Sequence, residues 1–236
     1  MRRRFRWTYL LCLVSILTIS GLSCNQASTT PSEESQKQST VVILPEPRHD
    51  SDISIEQSML QRRSVRSYTS EPLTLQEVSQ LLWAAQGITD SLGRRTAPSA
   101  GALYPLEIYV VAGNAQDISP GVYKYKPGPH RLERVMEGDI RQELSAAALA
   151  QHSVRAGAVS FVITAVYERT TVKYGDRGIR YVHLEAGHAA QNLCLQATAM
   201  GLGAVTVGAF EDEKVAEVLN LPEDEQPLYI IPVGKK

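Results

Sequence analysis

The stretch Pro98-Ser99-Ala100-Gly101-Ala102-Leu103-Tyr104-Pro105 decides how the rest of this chain is read. Two prolines bracket a run of small residues, a composition that suits a turn rather than a helix or a strand. Small side chains also let backbone approach a flat ligand closely. On its own such a segment is equally an ordinary tight loop. The apolar run Ile108 to Val111 follows at once and reads as a buried strand.

Outward from that loop, helical and strand patterns interleave without a regular βαβ period. Upstream, Ser54 to Arg62 reads as a short helix, and Thr74-Leu75-Gln76-Glu77 fits a capping box ahead of the apolar stripe Val78, Leu81, Leu82, Ala85. Downstream, Val122 to Tyr125 and Arg131 to Val135 flank Pro127-Gly128-Pro129 as a hairpin. Asp139 to Ala150 reads as a helix and Ala158 to Val166 as a strand. Tyr181 to Met200 reads as a long helix closed by Gly201. Ala204 to Val207, Asp212 to Leu219 and Leu228 to Val233 follow as strand, helix and strand. This order predicts an α+β fold with a mostly antiparallel sheet.

The chain has 236 residues, 43% hydrophobic, with 24 Lys+Arg against 25 Asp+Glu. That is enough apolar material for a core and excludes global disorder. The net charge of −1 gives no electrostatic reason to expect nucleic acid. Three cysteines make neither a disulfide framework nor a four-ligand zinc site, and no metal centre is expected.

The N-terminus reads as a targeting segment. Arg2, Arg3, Arg4 and Arg6 precede an apolar run from Trp7 to Leu22, closed by Ser23 and Cys24. A cysteine at the cleavage point resembles a bacterial lipoprotein signal, in which Cys24 becomes the lipidated first residue. Gly21 stands where that signal usually has Leu. An uncleaved anchor helix is the other reading. Losing four arginines from a chain of net charge −1 would leave about −5. Residues 24–50 are expected to form a tether, polar as far as residue 40, with residues 51–236 as the folded domain; Val41 to Leu44, followed by Pro45 and Pro47, reads either as more tether or as an arm lying on the domain. The protein is accordingly expected outside the cytoplasm, held to a membrane by lipid on Cys24.

Chemistry-bearing residues fall in four places. Arg62-Arg63-Ser64-Val65-Arg66 sets three guanidinium forks and a hydroxyl at a helix end, a pattern suited to phosphate or ring oxygens, or to a solvated basic turn. Pro98 to Pro105 is the second. The third is the helix segment Glu185 to Ala197, where Gly187, Ala190, Cys194 and Ala197 make a small-residue stripe for a core helix or a dimer seam. Gly201-Leu202-Gly203 is the fourth, and the chain ends in Lys235-Lys236. No Gly-x-Ser-x-Gly, phosphate-loop or His-Glu-x-x-His motif occurs.

Arg62-Arg63-Ser64-Val65-Arg66, Ser99 to Pro105, Glu185-x-Gly187 with Gln191-Asn192, Gly201-Leu202-Gly203 and Pro232 to Lys235 occur in one order. In that order they resemble the nitroreductase-like flavoenzymes, and within them the SagB-type, azoline oxidase-related dehydrogenases. The resemblance implies an α+β homodimer with FMN at the interface, its long helix in the dimer core. It implies that Arg62, Arg63, Ser64 and Arg66 hold the FMN phosphate, ribityl chain and pyrimidine edge. Arg66 would favour the reduced, anionic flavin. Pro98, Ser99, Ala100, Gly101 and Ala102 would line the ring from the partner subunit. Gly201, Leu202 and Gly203 would lie near N5, and Lys235 or Lys236 on the phosphate. Tyr104, Tyr181 and His188 are the candidates for substrate positioning and proton exchange. Hydride would pass to or from a small or peptide-borne substrate, with NAD(P)H as a possible donor. A tethered flavin- or ligand-binding lipoprotein, or a flavin-fragmenting enzyme of the same fold, would share these residues.

Overall fold

The computed structural model describes residues 40–236. The signal segment and Cys24 lie outside them. Seven strands form one sheet: β1 (Val41–Ile43), β2 (Leu106–Ala112), β3 (Gly121–Lys126), β4 (Arg131–Glu137), β5 (Val159–Val166), β6 (Leu202–Ala204) and β7 (Glu225–Lys235). Their order across the sheet is β1-β4-β3-β2-β5-β7-β6, with every neighbouring pair antiparallel. Seven helices accompany it: α1 (Ile55–Gln61), α2 (Leu75–Gln86), α3 (Arg141–Ala147), α4 (His152–Ala156), α5 (Glu168–Tyr174), α6 (Arg177–Ala199) and α7 (Asp212–Leu219). The expected α+β, mostly antiparallel class is the one observed.

Strand periodicity explains why the sheet is covered on both faces. Ile108, Val110 and Ala112 of β2, with Phe161, Ile163 and Ala165 of β5, enter one core, which α2 and α6 close with Val78, Leu81, Leu82, Val182, Ala189 and Leu193. The intervening Tyr109, Val111 and Val162 enter the other, closed by Leu144 of α3, Val154 of α4, and Val215 and Leu219 of α7. Among the described residues no helix is long and apolar enough to cross a membrane.

Local chemistry sets several boundaries as expected. The Thr74 hydroxyl accepts from the Glu77 amide at 3.2 Å, and the Glu77 carboxylate accepts from the Thr74 amide at 2.9 Å, completing the capping box of α2. Gly201 ends α6 with φ +72°.

Other boundaries differ. The helix expected over 139–150 is shorter: α3 ends at Ala147, Leu149 and Ala150 take left-handed backbone, φ 55° and 56°, and α4 starts only at His152. The strand expected over 204–207 lies earlier, so Leu202 and Gly203 are strand residues; Val207 keeps an isolated bridge to Ile230. Of the two readings of residues 41–50, the structure shows the arm rather than more tether: Val41–Ile43 forms β1 against Arg131–Glu133 of β4. The reason is burial: the residue after β1, Leu44, is 4% exposed in the core. The Arg48 amide then donates to Gln80 Oε1 at 2.8 Å, and His49 packs on Trp83 with ring centroids 5.2 Å apart.

Candidate active site

The first and fourth constellations and the terminal lysines come together. After α1 the chain runs beside β6: Ser64 bridges Ala204, and the Val65 amide donates to the Ala204 carbonyl at 3.0 Å. The Thr69 amide reaches the Lys235 carbonyl at 3.0 Å. Gly203 makes this approach possible, since a Cβ there would stand 2.7 Å from Val65 Cγ1 and 3.2 Å from Lys236 Cγ. Tyr68 fastens the segment further, its hydroxyl donating to the Val65 carbonyl at 2.8 Å.

The cations gathered here are largely unspent. Arg62, Arg66 and Lys236 have no carboxylate partner among the described residues. Arg63 donates only to the carbonyls of Leu60 and Arg62, at 2.9 and 2.8 Å. Ser64 leaves its hydroxyl exposed. Lys235 is committed elsewhere: its ammonium pairs with Glu77. Of the two lysines expected on a phosphate, Lys236 is therefore the available one. Half-buried Arg62 also lies near Cys194 of α6, whose thiol burial pushes up to about 11, against the pull of Arg62.

The second constellation sits on the other side of α6. Residues 98–105 form a strained turn: Gly101, Ala102 and Tyr104 all take positive φ, 65°, 54° and 46°. Non-glycine residues hold such backbone only when their surroundings impose it. Here the Tyr104 amide donates to Ser99 Oγ at 2.9 Å, and Arg169 donates to the Tyr104 carbonyl at 3.1 Å and to Glu107 at 2.6 Å. The Arg95 guanidinium carbon sits 4.4 Å from the centre of the Tyr104 ring. Pro98, Ser99 and Ala100 face Tyr181, Leu184, Glu185 and His188 of α6 across a cavity of about 280 Å³.

Glu185 is the electrostatic centre of that cavity. Burial raises its carboxyl to about 7, against the pull of the Ser99 hydroxyl, the Arg95 charge and the Ala100 amide. Its Oε1 has no hydrogen-bond partner. Tyr181 packs edge-on against Tyr174, centroids 5.2 Å apart, and Lys173 lies 5.4 Å from the Tyr174 ring centre. A Cβ on Gly101 would stand 2.8 Å from the Tyr174 hydroxyl and 3.0 Å from Lys173 Nζ.

Tyr104, expected with Tyr181 and His188 to position substrate, lies in the loop itself, and the other two line the cavity beside it. Lys173, Tyr174 and Arg95 are additions that the sequence did not single out. Their only signal is non-local, since α5 brings Lys173 and Tyr174 to Gly101 through tertiary packing. Among the described residues no hydrogen bond, ion pair or ring contact joins the loop group or His188 to Arg62–Arg66. The small-residue stripe is spent inside the chain, with Ala190, Cys194 and Ala197 in the core. Ile179, Leu184, His188 and Gln191 lie on the exposed face of the same helix. Among the described residues no three His, Cys, Asp or Glu side chains converge as a metal site requires.

Residues 59–235 match the model of the family described as "Nitroreductase family". The chain belongs to the nitroreductase family. The family member of Methanocaldococcus jannaschii that carries the name nitroreductase is 50% identical over 185 residues, covering 78% of this chain and 92% of its own length. A solved nitroreductase structure from Ralstonia eutropha superposes with a TM-score of 0.72 at 30% identity, over 84% of this chain and 90% of that one. The Escherichia coli microcin synthetase McbBCD complex, solved with truncated pro-MccB17 bound, contains a chain matching at TM-score 0.66 and 26% identity. That match covers 92% of this chain and 84% of the other. Membership in the nitroreductase family makes this chain a flavin-type oxidoreductase in class.

The residues present fit FMN. A phosphate dianion needs charge-assisted donors, and Arg62, Arg66 and Lys236 supply unpaired ones. Gly201 leaves open space where a Cβ would project, as a backbone lying against a flat ring requires.

Proposed function

We propose that this nitroreductase-family chain is an FMN-dependent oxidoreductase working as a homodimer. Bound FMN would supply hydride transfer through N5. The observation that carries this reading is the set of unpaired cations at the Ser64–Ala204 junction. Arg62, Arg63 and Lys236 would hold the phosphate, and Ser64 and Arg66 the ribityl chain and pyrimidine edge. Leu202 and Gly203 would present backbone to the ring, and Pro98 to Ala102 of a second copy would cover it. Exposed Leu184 and Ile179 on α6 give that second copy an apolar surface to bury.

The residues around Gly101 would manage protons. Tyr174 and Lys173 offer a phenol and an ammonium at the rim of the loop, and Tyr181 and His188 lie across the cavity. A nitroaromatic, a quinone or a peptide-borne heterocycle is the proposed substrate class, with NAD(P)H as the proposed donor. The peptide option draws on the likeness to the microcin synthetase chain, whose structure holds a peptide precursor. The basic and apolar N-terminal segment ending in Cys24 supports placing the protein outside the cytoplasm on a lipid anchor.

The test is to purify residues 40–236 without added cofactor. A yellow dimer with about one FMN per chain, bleached by NADH or NADPH and reoxidised by a nitroaromatic or an azoline peptide, is the expected result. A colourless monomer that takes up no added FMN would overturn it.

A further inference from the structure

A row of charges runs through one end of the sheet and stops at the 98–105 loop. It starts at Glu225 of β7, only 5% exposed. The Glu225 carboxylate accepts from the Tyr109 hydroxyl at 2.9 Å and the Thr164 hydroxyl at 3.0 Å, and pairs with the Lys124 ammonium. Lys124, on β3, lies 3.6 Å from Glu107 of β2. Glu107 in turn accepts from Arg169 of α5 at 2.6 Å, and the same guanidinium donates to the Tyr104 carbonyl at 3.1 Å. The charges alternate in sign from a buried strand to a loop carbonyl.

Buried ion pairs add little net stability, because desolvation offsets most of their attraction, and apolar side chains of similar size would pack there without that cost. What charges on rigid strands do supply is position. The end of this row needs it. Tyr104 has φ 46°, a left-handed backbone that a non-glycine residue avoids, and a residue before a proline otherwise prefers extended backbone. Its amide donates to Ser99 Oγ at 2.9 Å, which closes the loop on itself. Its ring is held separately, by the Arg95 guanidinium carbon 4.4 Å from its centre. Freeing the carbonyl would let the Tyr104 backbone relax and the Ser99 turn open. We propose that Arg169 is the positioning residue of this loop: through Glu107, Lys124 and Glu225 it fixes Tyr104 to the sheet, and so sets where Pro98 to Ala102 lie. The proposal rests on the flavoenzyme reading for what the loop covers, the flavin of a second copy, and on bonds within this chain for the positioning itself.

The test uses two variants of the purified protein. Arg169→Ala removes both bonds, whereas Glu107→Gln keeps the arginine, weakens its anchor and alters no loop residue. Hydrogen exchange is followed by mass spectrometry on peptides covering the loop and strands β2 and β5. The Ala102 and Tyr104 amides bond the Ser99 carbonyl and hydroxyl. In Arg169→Ala they should exchange roughly tenfold faster, the size of one charge-assisted hydrogen bond. Glu107→Gln should move them in the same direction by less. Amides of β2 and β5 should exchange as in the wild type, because a row that merely stabilised the fold would speed them as well. Flavin affinity, read by fluorescence titration, should fall in Arg169→Ala by up to the same factor of about ten, since only the ordered loop covers the ring. Unchanged loop exchange, acceleration spread evenly over the sheet, or undiminished flavin affinity in Arg169→Ala would each overturn the proposal. If Arg169→Ala does not fold, Glu107→Gln decides by the same three criteria. A wild type that binds no flavin would overturn the flavoenzyme reading alone, and loop exchange would still decide the positioning.

Discussion

Lys235 is paired through its ammonium with Glu77, the same carboxylate that caps α2 by accepting from the Thr74 amide at 2.9 Å. The penultimate cation is therefore a structural tie between β7 and α2, and Lys236 is the cation left for an anionic ligand. Lys236→Ala should weaken FMN binding by about 10- to 100-fold, the loss of one charge-assisted bond. Lys235→Ala should leave FMN affinity nearly unchanged. It should cost about 1 kcal/mol of stability, since both partners are only partly exposed. Titration of flavin fluorescence alongside thermal melts separates the two.

The close approach of residues 64–66 to β6 depends on Gly203, where a Cβ would lie 2.7 Å from Val65 Cγ1 and 3.0 Å from Val65 Cβ. Neither atom is the end of a flexible chain. Gly203→Ala should therefore push the Ser64–Arg66 segment off the sheet edge, at about 1–3 kcal/mol for overpacking. Because Arg66 moves with it, flavin retention on gel filtration should fall by more than the drop in melting temperature implies. A variant that keeps its flavin would show that this contact does not position the arginines.

Much of this arrangement was legible because its signals are local. The capping box at Thr74, the Gly201 helix stop and the hairpin around Pro127-Gly128-Pro129 need only their neighbours. The break at Leu149–Ala150 did not show, because distant bonds impose it: Gln151 Nε2 reaches the Ala209 carbonyl at 2.8 Å. Helix α6 begins at Arg177, one turn before Tyr181; that turn, Arg-Gly-Ile-Arg, has one apolar side chain, Ile179, and so no apolar periodicity to show the start. The site was legible as residue types, but not as two groups on opposite sides of one helix. Nor could sequence spacing show Arg95 stacked on Tyr104, or Lys173 and Tyr174 beside Gly101.

Glu185 also makes a stability statement. Its folded value, about 7, stands above its ordinary 4.5. Between those values the native state holds a proton that the unfolded chain has released. Stability is therefore intact at acidic pH and declines as pH rises through this window. The full penalty is roughly 3 kcal/mol, since each tenfold change in proton affinity is worth about 1.4 kcal/mol. Urea melts of wild type and Glu185→Gln across the window should diverge, the wild type losing stability relative to the variant. Parallel curves would mean that the carboxyl ionises freely in the fold.

The segment before α1 is integral to the domain, and His130 is its clasp. The Ser79 hydroxyl donates to the Pro45 carbonyl at 2.5 Å, and His130 Nε2 lies 2.7 Å from Ser79 Oγ and 3.2 Å from the Pro45 oxygen. Nδ1 stands 2.8 Å from the Tyr125 hydroxyl. A neutral ring with its proton on Nε2 satisfies all of these, with Tyr125 donating to Nδ1. Burial holds the ring below its usual 6.5, so its contribution is present above that value and lost as pH falls. Acidification should therefore release the arm. In a chain starting at residue 40, Trp83 is the sole tryptophan and sits against His49 of the arm, so its fluorescence reports docking. A change in emission below pH 6.5 that is absent in His130→Gln is expected. A chain starting at residue 51 loses β1 and buried Leu44, worth roughly 1.5–3 kcal/mol for the leucine alone. It should melt well below the longer one, and equal melting temperatures would show that the arm is dispensable.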